Sequence, residues 1–188
     1  MQSPYCFIVK PFQGGRYSNT QVIGGIEFIV SASQEDHKYS NRLAEVISVP
    51  LNYKGEIVKG DILVVHHNIF KYYYDMKGRT KSGRAYFQDD LFFVEPDMYF
   101  LYFHNGEWKT HDKYCFVKPI KPIQGAIEKN IEEEPLMGIM KYSNEELKEL
   151  GVNTGDLVSF TPDSEYEFII GEEKLYRMFT ENITAICS

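Results

Sequence analysis

The sequence predicts a mostly β protein made of two small tandem units. Three observations carry this reading. Aromatic residues reach 15% of the chain, with 14 Tyr and 13 Phe, and aromatic side chains favour strands. Short apolar runs alternate with turn residues along the whole length. Three short signatures also occur twice, in the same order, which is the mark of an internal repeat.

The first signature is Tyr5-Cys6-Phe7-Ile8-Val9-Lys10-Pro11, which returns as Tyr114-Cys115-Phe116-Val117-Lys118-Pro119 with one residue fewer. The second is Val58-Lys59-Gly60-Asp61-Ile62-Leu63-Val64, which returns as Asn153-Thr154-Gly155-Asp156-Leu157-Val158-Ser159. The third is weaker: the run from Leu91 to Tyr99 is echoed by the run from Leu175 to Ile183. The turn signal Asn105-Gly106 separates two apolar runs between the copies. It divides the chain into a longer unit, 1–108, and a shorter one, 109–188.

Residues 6–10 read as a strand stopped by Pro11. Residues 12–41 are largely polar, with an apolar patch at 25–30, and read as one long mobile excursion. Loops of that length in a compact domain are usually functional or disordered. Strands follow at 43–49, 62–65, 86–87, 91–94 and 98–103. In the second unit they are expected at 114–117, 136–142, 157–160, 166–170, 175–179 and 183–187. The helical candidate is 143–150, with Ser143 and Glu146 as a capping box and Gly151 as the stop. Many short strands with turn signals point to small barrels.

Composition narrows the function classes. Hydrophobic residues make up 43% and charged residues 25% of the 188, as in ordinary globular proteins. A net charge of −7 argues against a general nucleic-acid binder, which is normally basic. Cys6, Cys115 and Cys187 show no metal-ligand spacing, so they are expected to be buried, reduced thiols of a cytosolic protein. The start Met1-Gln2-Ser3-Pro4 lacks the basic and apolar regions of a signal peptide. No apolar run is long enough to span a bilayer. The expectation is a soluble, cytoplasmic protein without membrane contact.

The order of these pieces resembles the GroES-type co-chaperonin family. In that family a strand ending in Val-Lys-Pro or similar opens the chain. A mobile loop with Gly-Gly-Ile-Val-Leu follows, then Gly-Glu-Val-Leu-Ala-Val-Gly, then Val-Gly-Asp-x-Val, then a closing strand pair. The counterparts here are Phe7-Ile8-Val9-Lys10-Pro11, Gly24-Gly25-Ile26-Glu27-Phe28, Ala44-Glu45-Val46-Ile47-Ser48-Val49-Pro50 and Lys59-Gly60-Asp61-Ile62-Leu63-Val64. The second unit offers Phe116-Val117-Lys118-Pro119, Thr154-Gly155-Asp156-Leu157-Val158 and Glu181-Asn182-Ile183-Thr184-Ala185-Ile186. The resemblance covers most of the chain. It implies two GroES-like irregular β-barrel units with long hairpin excursions, and a homo-oligomeric ring that caps a large chaperonin ring. Nucleotide would be bound by the partner, and this chain would need no cofactor. The chaperonin-binding residues it implies are Gly24, Gly25, Ile26, Phe28 and Ile29, with Glu27 facing solvent by strand alternation.

There are departures from the pattern. The loop tripeptide is Ile26-Glu27-Phe28 rather than three apolar residues, and the second unit has the acidic run Ile127 to Glu134 where a mobile loop would lie. Residues 66–84 are an extra segment. The alternatives to a co-chaperonin are a virion-type or scaffold barrel that kept the fold without the partner, and a small enzyme or ligand-binding domain on the same barrel. The patch at 25–30 could equally be an ordinary barrel strand with Phe28 and Val30 inward.

Other motifs have plain readings. His66 and His67 sit next to each other on a strand end, so alternation sends them to opposite faces and they would not share one metal ion. The stretch 70–84 mixes aromatics with five basic side chains, the chemistry of single-stranded nucleic-acid binding. In an acidic protein a subunit contact or solvated hairpin is the better expectation. Asp89-Asp90 belongs to a turn and Glu132-Glu133-Glu134 to a solvated loop. No catalytic set and no metal-ligating set is present among the familiar motifs.

Overall fold

The computed structural model describes residues 1–13, 15–16, 20–23, 26–29, 40–122, 133–170 and 173–187. The protein is mostly β, with several antiparallel sheets. It divides into two units, Met1–Glu107 and Trp108–Ser188. Among the described residues, no helix is long and apolar enough to cross a membrane.

The first unit holds β1 (Phe7–Pro11), β2 (Thr20–Ile23), β3 (Ile26–Ile29), β4 (Leu43–Ser48), β5 (Ile62–Val65) and β6 (Tyr72–Tyr74). It continues with β7 (Thr80–Ser82), β8 (Tyr86–Gln88), β9 (Leu91–Val94) and β10 (Tyr99–His104); β11 (Glu107–Thr110) then carries the division. The second unit holds β12 (Tyr114–Pro119), β13 (Met137–Tyr142), α1 (Glu145–Glu149), β14 (Leu157–Phe160), β15 (Tyr166–Ile170) and β16 (Glu173–Phe179). A 3-10 turn at Thr180–Asn182 leads into β17 (Ile183–Ile186).

The two large sheets follow one pairing scheme. The seven-stranded sheet runs β11-β10-β5-β4-β1-β9-β8, and the six-stranded sheet runs, in reverse, β17-β14-β13-β12-β16-β15. With β11 set aside, each strand of one sheet has a counterpart at the same place in the other. The registers agree as well. Val9 pairs Val46 and Lys10 pairs Glu45, as Val117 pairs Met140 and Lys118 pairs Ile139. A bulge interrupts both ladders at the same step, after Ile8 and after Phe116. On the other side Val9 pairs Phe92, and Val117 pairs Tyr176.

The Gly-Asp signatures show why the sequence repeats there. Gly60 and Gly155 take φ of +96° and +100°, a region open to glycine and strained for other residues. The following carboxylates close the turn: Asp61 Oδ2 accepts from Val58 N at 2.8 Å, and Asp156 Oδ2 from Asn153 N at 2.7 Å. The Gly N–H groups then donate to Val46 O and Met140 O, each at 2.8 Å.

Each unit has its own apolar core. Phe7, Val46, Leu63, Val65 and Val94 are buried in the first, and Cys115, Met140, Val158, Phe160 and Met178 occupy the corresponding places in the second. A large Phe7 with two valines is replaced by a small cysteine with two methionines. Flexible Met side chains fill such gaps readily. Phe7 packs edge-on against Tyr53 and Tyr99, at 4.9 and 5.6 Å between ring centroids.

Several expectations are corrected at the local level. The helix is capped by Asn144, not Ser143: Asn144 Oδ1 accepts from Leu147 N at 2.9 Å. Ser143 Oγ instead donates to Val152 O at 2.7 Å. Asn105-Gly106 is a turn, as expected. With φ of +50° and +88° it turns β10 into β11, as two left-handed residues do in a tight hairpin. Of the three cysteines only Cys115 is buried, while Cys6 and Cys187 are half-exposed. His66 and His67 lie beyond the end of β5, where alternation no longer acts, and their rings lie side by side at 4.1 Å.

Candidate functional site

The excursion between β1 and β4 contains the candidate binding segment. β2 and β3 pair antiparallel with Thr20 opposite Ile29, Gln21 opposite Phe28, Val22 opposite Glu27 and Ile23 opposite Ile26. Among the described residues this hairpin is a two-stranded sheet of its own, joined to neither large sheet. Ile26, Phe28 and Ile29 all fall in β3. Ile26 and Phe28 occupy one alternating set of positions, while Ile29 falls in the other set with Glu27. Gly24 and Gly25 lie outside the described residues.

The excursion leaves the sheet through a closed polar neck. Phe12 N donates to Leu43 O at 2.9 Å, and Asn41 N donates to Arg16 O at 3.0 Å. The Asn41 amide donates to Phe12 O at 3.0 Å and to Gly15 O at 3.2 Å. Its Oδ1 accepts from Leu43 N at 2.9 Å. One side chain therefore bonds backbone groups on both strands of the neck.

Arg16 joins this neck to the extra segment. Its Nε donates to Phe70 O at 2.9 Å, one terminal nitrogen to Lys71 O at 3.2 Å and the other to Ser82 Oγ at 3.2 Å. The guanidinium also lies 4.8 Å from the Phe92 ring centre and 5.2 Å from that of Tyr72. A planar fork of donors with an apolar face suits this mixed setting. Burial and neighbouring Tyr74 push the Tyr72 phenol upward, with Arg16 opposing.

The segment that Arg16 grips is the β6–β7 hairpin, with Tyr72 opposite Ser82, Tyr73 opposite Lys81 and Tyr74 opposite Thr80. Asp75 closes its turn by accepting from Lys77 N at 2.8 Å and Arg79 N at 2.9 Å. Tyr73, Tyr74 and Met76 are exposed. At the hairpin's base lies a cleft of about 700 Å³, lined mainly by apolar surface that includes Ile69, Tyr73, Phe93 and Met98, with Lys71 and Arg84 at hand.

The second unit has an excursion at the corresponding place, between β12 and β13. Residues 123–132 of it lie outside the described residues. Its closing foot is held by charge. Glu134 N donates to Ile120 O at 2.8 Å. Glu133 pairs with Lys174 at 2.8 Å and accepts the Tyr176 hydroxyl. Burial alone would raise the Glu133 pKa, but the Lys174 and Tyr176 hydrogen bonds outweigh it and hold the carboxyl below its ordinary value. The expected solvated acidic loop is thus corrected at Glu133, which is half-buried and paired. Close by, Glu173 bridges Lys118 and Lys141 at 2.7 Å each, and these two contacts bring it down to about 2.

Sequence reasoning missed Arg16, Asn41 and Glu133. The Arg16 side chain finds partners 54 to 66 residues away, the Asn41 amide nitrogen 26 and 29 away, and Glu133 41 and 43 away, and no local spacing marks them. The Cys115 thiol is pushed up to about 12 by burial, so it is an inert core group. Among the described residues no three His, Cys, Asp or Glu side chains come together as metal ligands.

No protein-family model and no curated protein matches the chain.

Proposed function

We propose that this chain is a co-chaperonin. In this reading it is a homo-oligomeric, cytoplasmic ring built from two tandem GroES-like β-barrel units per chain. It closes the cavity of a large chaperonin ring and performs no chemistry of its own. The observation that carries the reading is the β2–β3 hairpin, which bears Ile26, Phe28 and Ile29 and, among the described residues, pairs with neither large sheet. The shared pairing scheme of the two units supports the tandem origin. The family resemblance of Gly24-Gly25-Ile26 supplies the partner.

A short apolar segment on a polar excursion can enter a groove on another protein. One such loop binds weakly, because ordering a segment costs a few kcal/mol. Several loops on one ring recover affinity through effective concentration, by roughly 10²–10⁴. The second unit lacks the Gly-Gly-Ile pattern, so one binding loop per chain is expected. The test is co-sedimentation with a purified chaperonin ring, with and without ATP. Nucleotide-dependent capture supports the proposal. Its absence, with the protein folded, refutes it.

A further inference from the structure

The two units differ most at one connection. In the second unit residues 161–165 join β14 to β15, and this turn carries Asp163 and Glu165 with no base. In the first unit residues 66–85 span the corresponding step from β5 to β8 and carry the β6–β7 hairpin. That stretch has Lys71, Lys77, Arg79, Lys81 and Arg84 against Asp75 alone, and the Asp75 carboxylate is occupied by its own turn. The same place in one pairing scheme is thus basic and aromatic in one unit, and short and acidic in the other.

The charge of the whole chain follows this division. The second unit carries 15 acidic against 9 basic residues, so it holds −6 of the total −7. Its strand β15 is an edge, paired only with β16 among the described residues. Glu167 and Ile169 stand two apart on β15 and are both exposed, Ile169 at 61%, and the Glu167 carboxylate lies 3.4 Å from Lys174. The hairpin offers the complement: Tyr73, Tyr74 and Met76 exposed at 49%, 55% and 106% beside Arg79 and Lys81. Edge strands left open are docking points for another chain. Aromatic residues and arginine are the types enriched where proteins meet.

We propose that the β6–β7 hairpin of one copy docks on the acidic β15 edge of a second copy, so that the first unit of each chain takes the second unit of the next. The two surfaces are different, so the contact is heterologous and propagates head to tail, as ring closure requires. Isolated exposed ion pairs contribute little; here the charges set partner and register, while the tyrosines, Met76 and Ile169 supply the buried area. The inference rests on the ring part of the proposed function, yet it can fail while that part stands. A single strand of nucleic acid could use similar side chains, but the net charge of −7 opposes it.

The test uses the full chain and two charge-reversed forms, Arg79→Glu with Lys81→Glu, and Asp163→Lys with Glu167→Lys. Native mass spectrometry and sedimentation velocity at micromolar concentration read assembly, and the melting temperature checks folding. Wild type should assemble, with self-affinity falling as salt rises. Each reversed form alone should assemble at least about tenfold more weakly. An equimolar mixture of the two should assemble again, because each hairpin then meets an edge of opposite sign. If a reversed form melts early, the neutral pair Arg79→Gln with Lys81→Gln replaces it and should weaken assembly in the same direction. A ring indifferent to every variant refutes this contact and leaves the ring. A monomeric wild type refutes both. Binding of labelled oligothymidine that the hairpin variant abolishes, with assembly unchanged, assigns the surface to nucleic acid instead.

Discussion

Replacing Arg16 by alanine separates the neck of the β2–β3 excursion from the β6–β7 hairpin. Among the described residues the guanidinium makes hydrogen bonds of 2.9 to 3.2 Å to Ser82 Oγ and to the Phe70 and Lys71 carbonyls. A hydrogen bond to a charged group is worth roughly 1.5–3 kcal/mol, and contact with an aromatic face adds about 0.5–2 kcal/mol. The three bonds share one group, so their values do not add. Water can also reach the half-buried carbonyls once the side chain is gone. The net cost expected is about 2–4 kcal/mol. Arg16→Lys keeps the charge but not the fork, and should recover less than half of it. A chain of two units need not unfold in one step, so the readout is local: hydrogen exchange at Gly83 N, which donates to Lys71 O at 2.8 Å. In Arg16→Ala this amide should exchange on the order of 30-fold or more faster, which is about 2 kcal/mol of opening free energy. Unchanged exchange at Gly83, with urea stability within about 0.5 kcal/mol of wild type, would refute the idea that Arg16 couples neck to hairpin.

Asn144→Ala should destabilise the second unit by about 3 kcal/mol. The substitution removes a helix cap and two further bonds, to Asp112 O at 2.8 Å and Thr180 Oγ1 at 2.6 Å; urea unfolding within about 0.5 kcal/mol of wild type counts against it. Gly138→Ala should cost about 1–3 kcal/mol, because the new Cβ would stand 2.5 Å from Val117 Cγ1 and 2.6 Å from Lys118 O. Neutral melting there would mean that the β12–β13 approach is looser than described. Glu173, held down to about 2 by Lys118 and Lys141, lies below the ordinary carboxylate value of about 4.3. Its stabilising effect is complete above that value and is lost as pH falls towards about 2. Glu173→Gln should therefore flatten acid unfolding of the second unit in that window, and a curve that overlays wild type refutes the pairing.

Strands with strong apolar runs and clear turn residues were legible in the sequence with their bounds. Ile62–Val65, Leu91–Val94, Leu157–Phe160 and Tyr166–Ile170 are examples. The weak echo between Leu91 and Leu175 places Phe92 with Tyr176 and Val94 with Met178, which are partners of equivalent residues in β1 and β12. Strands without such runs were not legible. β2 is Thr-Gln-Val-Ile in a polar stretch, β7 is three polar residues, and β11 follows a turn that also reads as a boundary. Such strands are stabilised by pairing, which local composition does not record. Helix capping went one residue astray because Ser143 and Asn144 are both good caps, and only the bonds to Asp112 and Thr180 distinguish them. Within the candidate site the apolar patch was legible, but its neck was not. Arg16 and Asn41 look like ordinary polar loop residues until the fold brings Phe12, Phe70 and Ser82 to them.

Phe28→Ser tests the proposed contact between β3 and a chaperonin most directly. Affinity for a purified chaperonin ring in the presence of ATP would be measured beside the melting temperature. β3 pairs with β2 alone among the described residues, so the substitution should leave the two large sheets and the melting temperature nearly unchanged while binding falls by tenfold or more, about 1.4 kcal/mol per loop. The contrary result is a loss of about 3–5 kcal/mol of stability, typical of a core Phe replaced by a small residue, with chaperonin affinity unaltered.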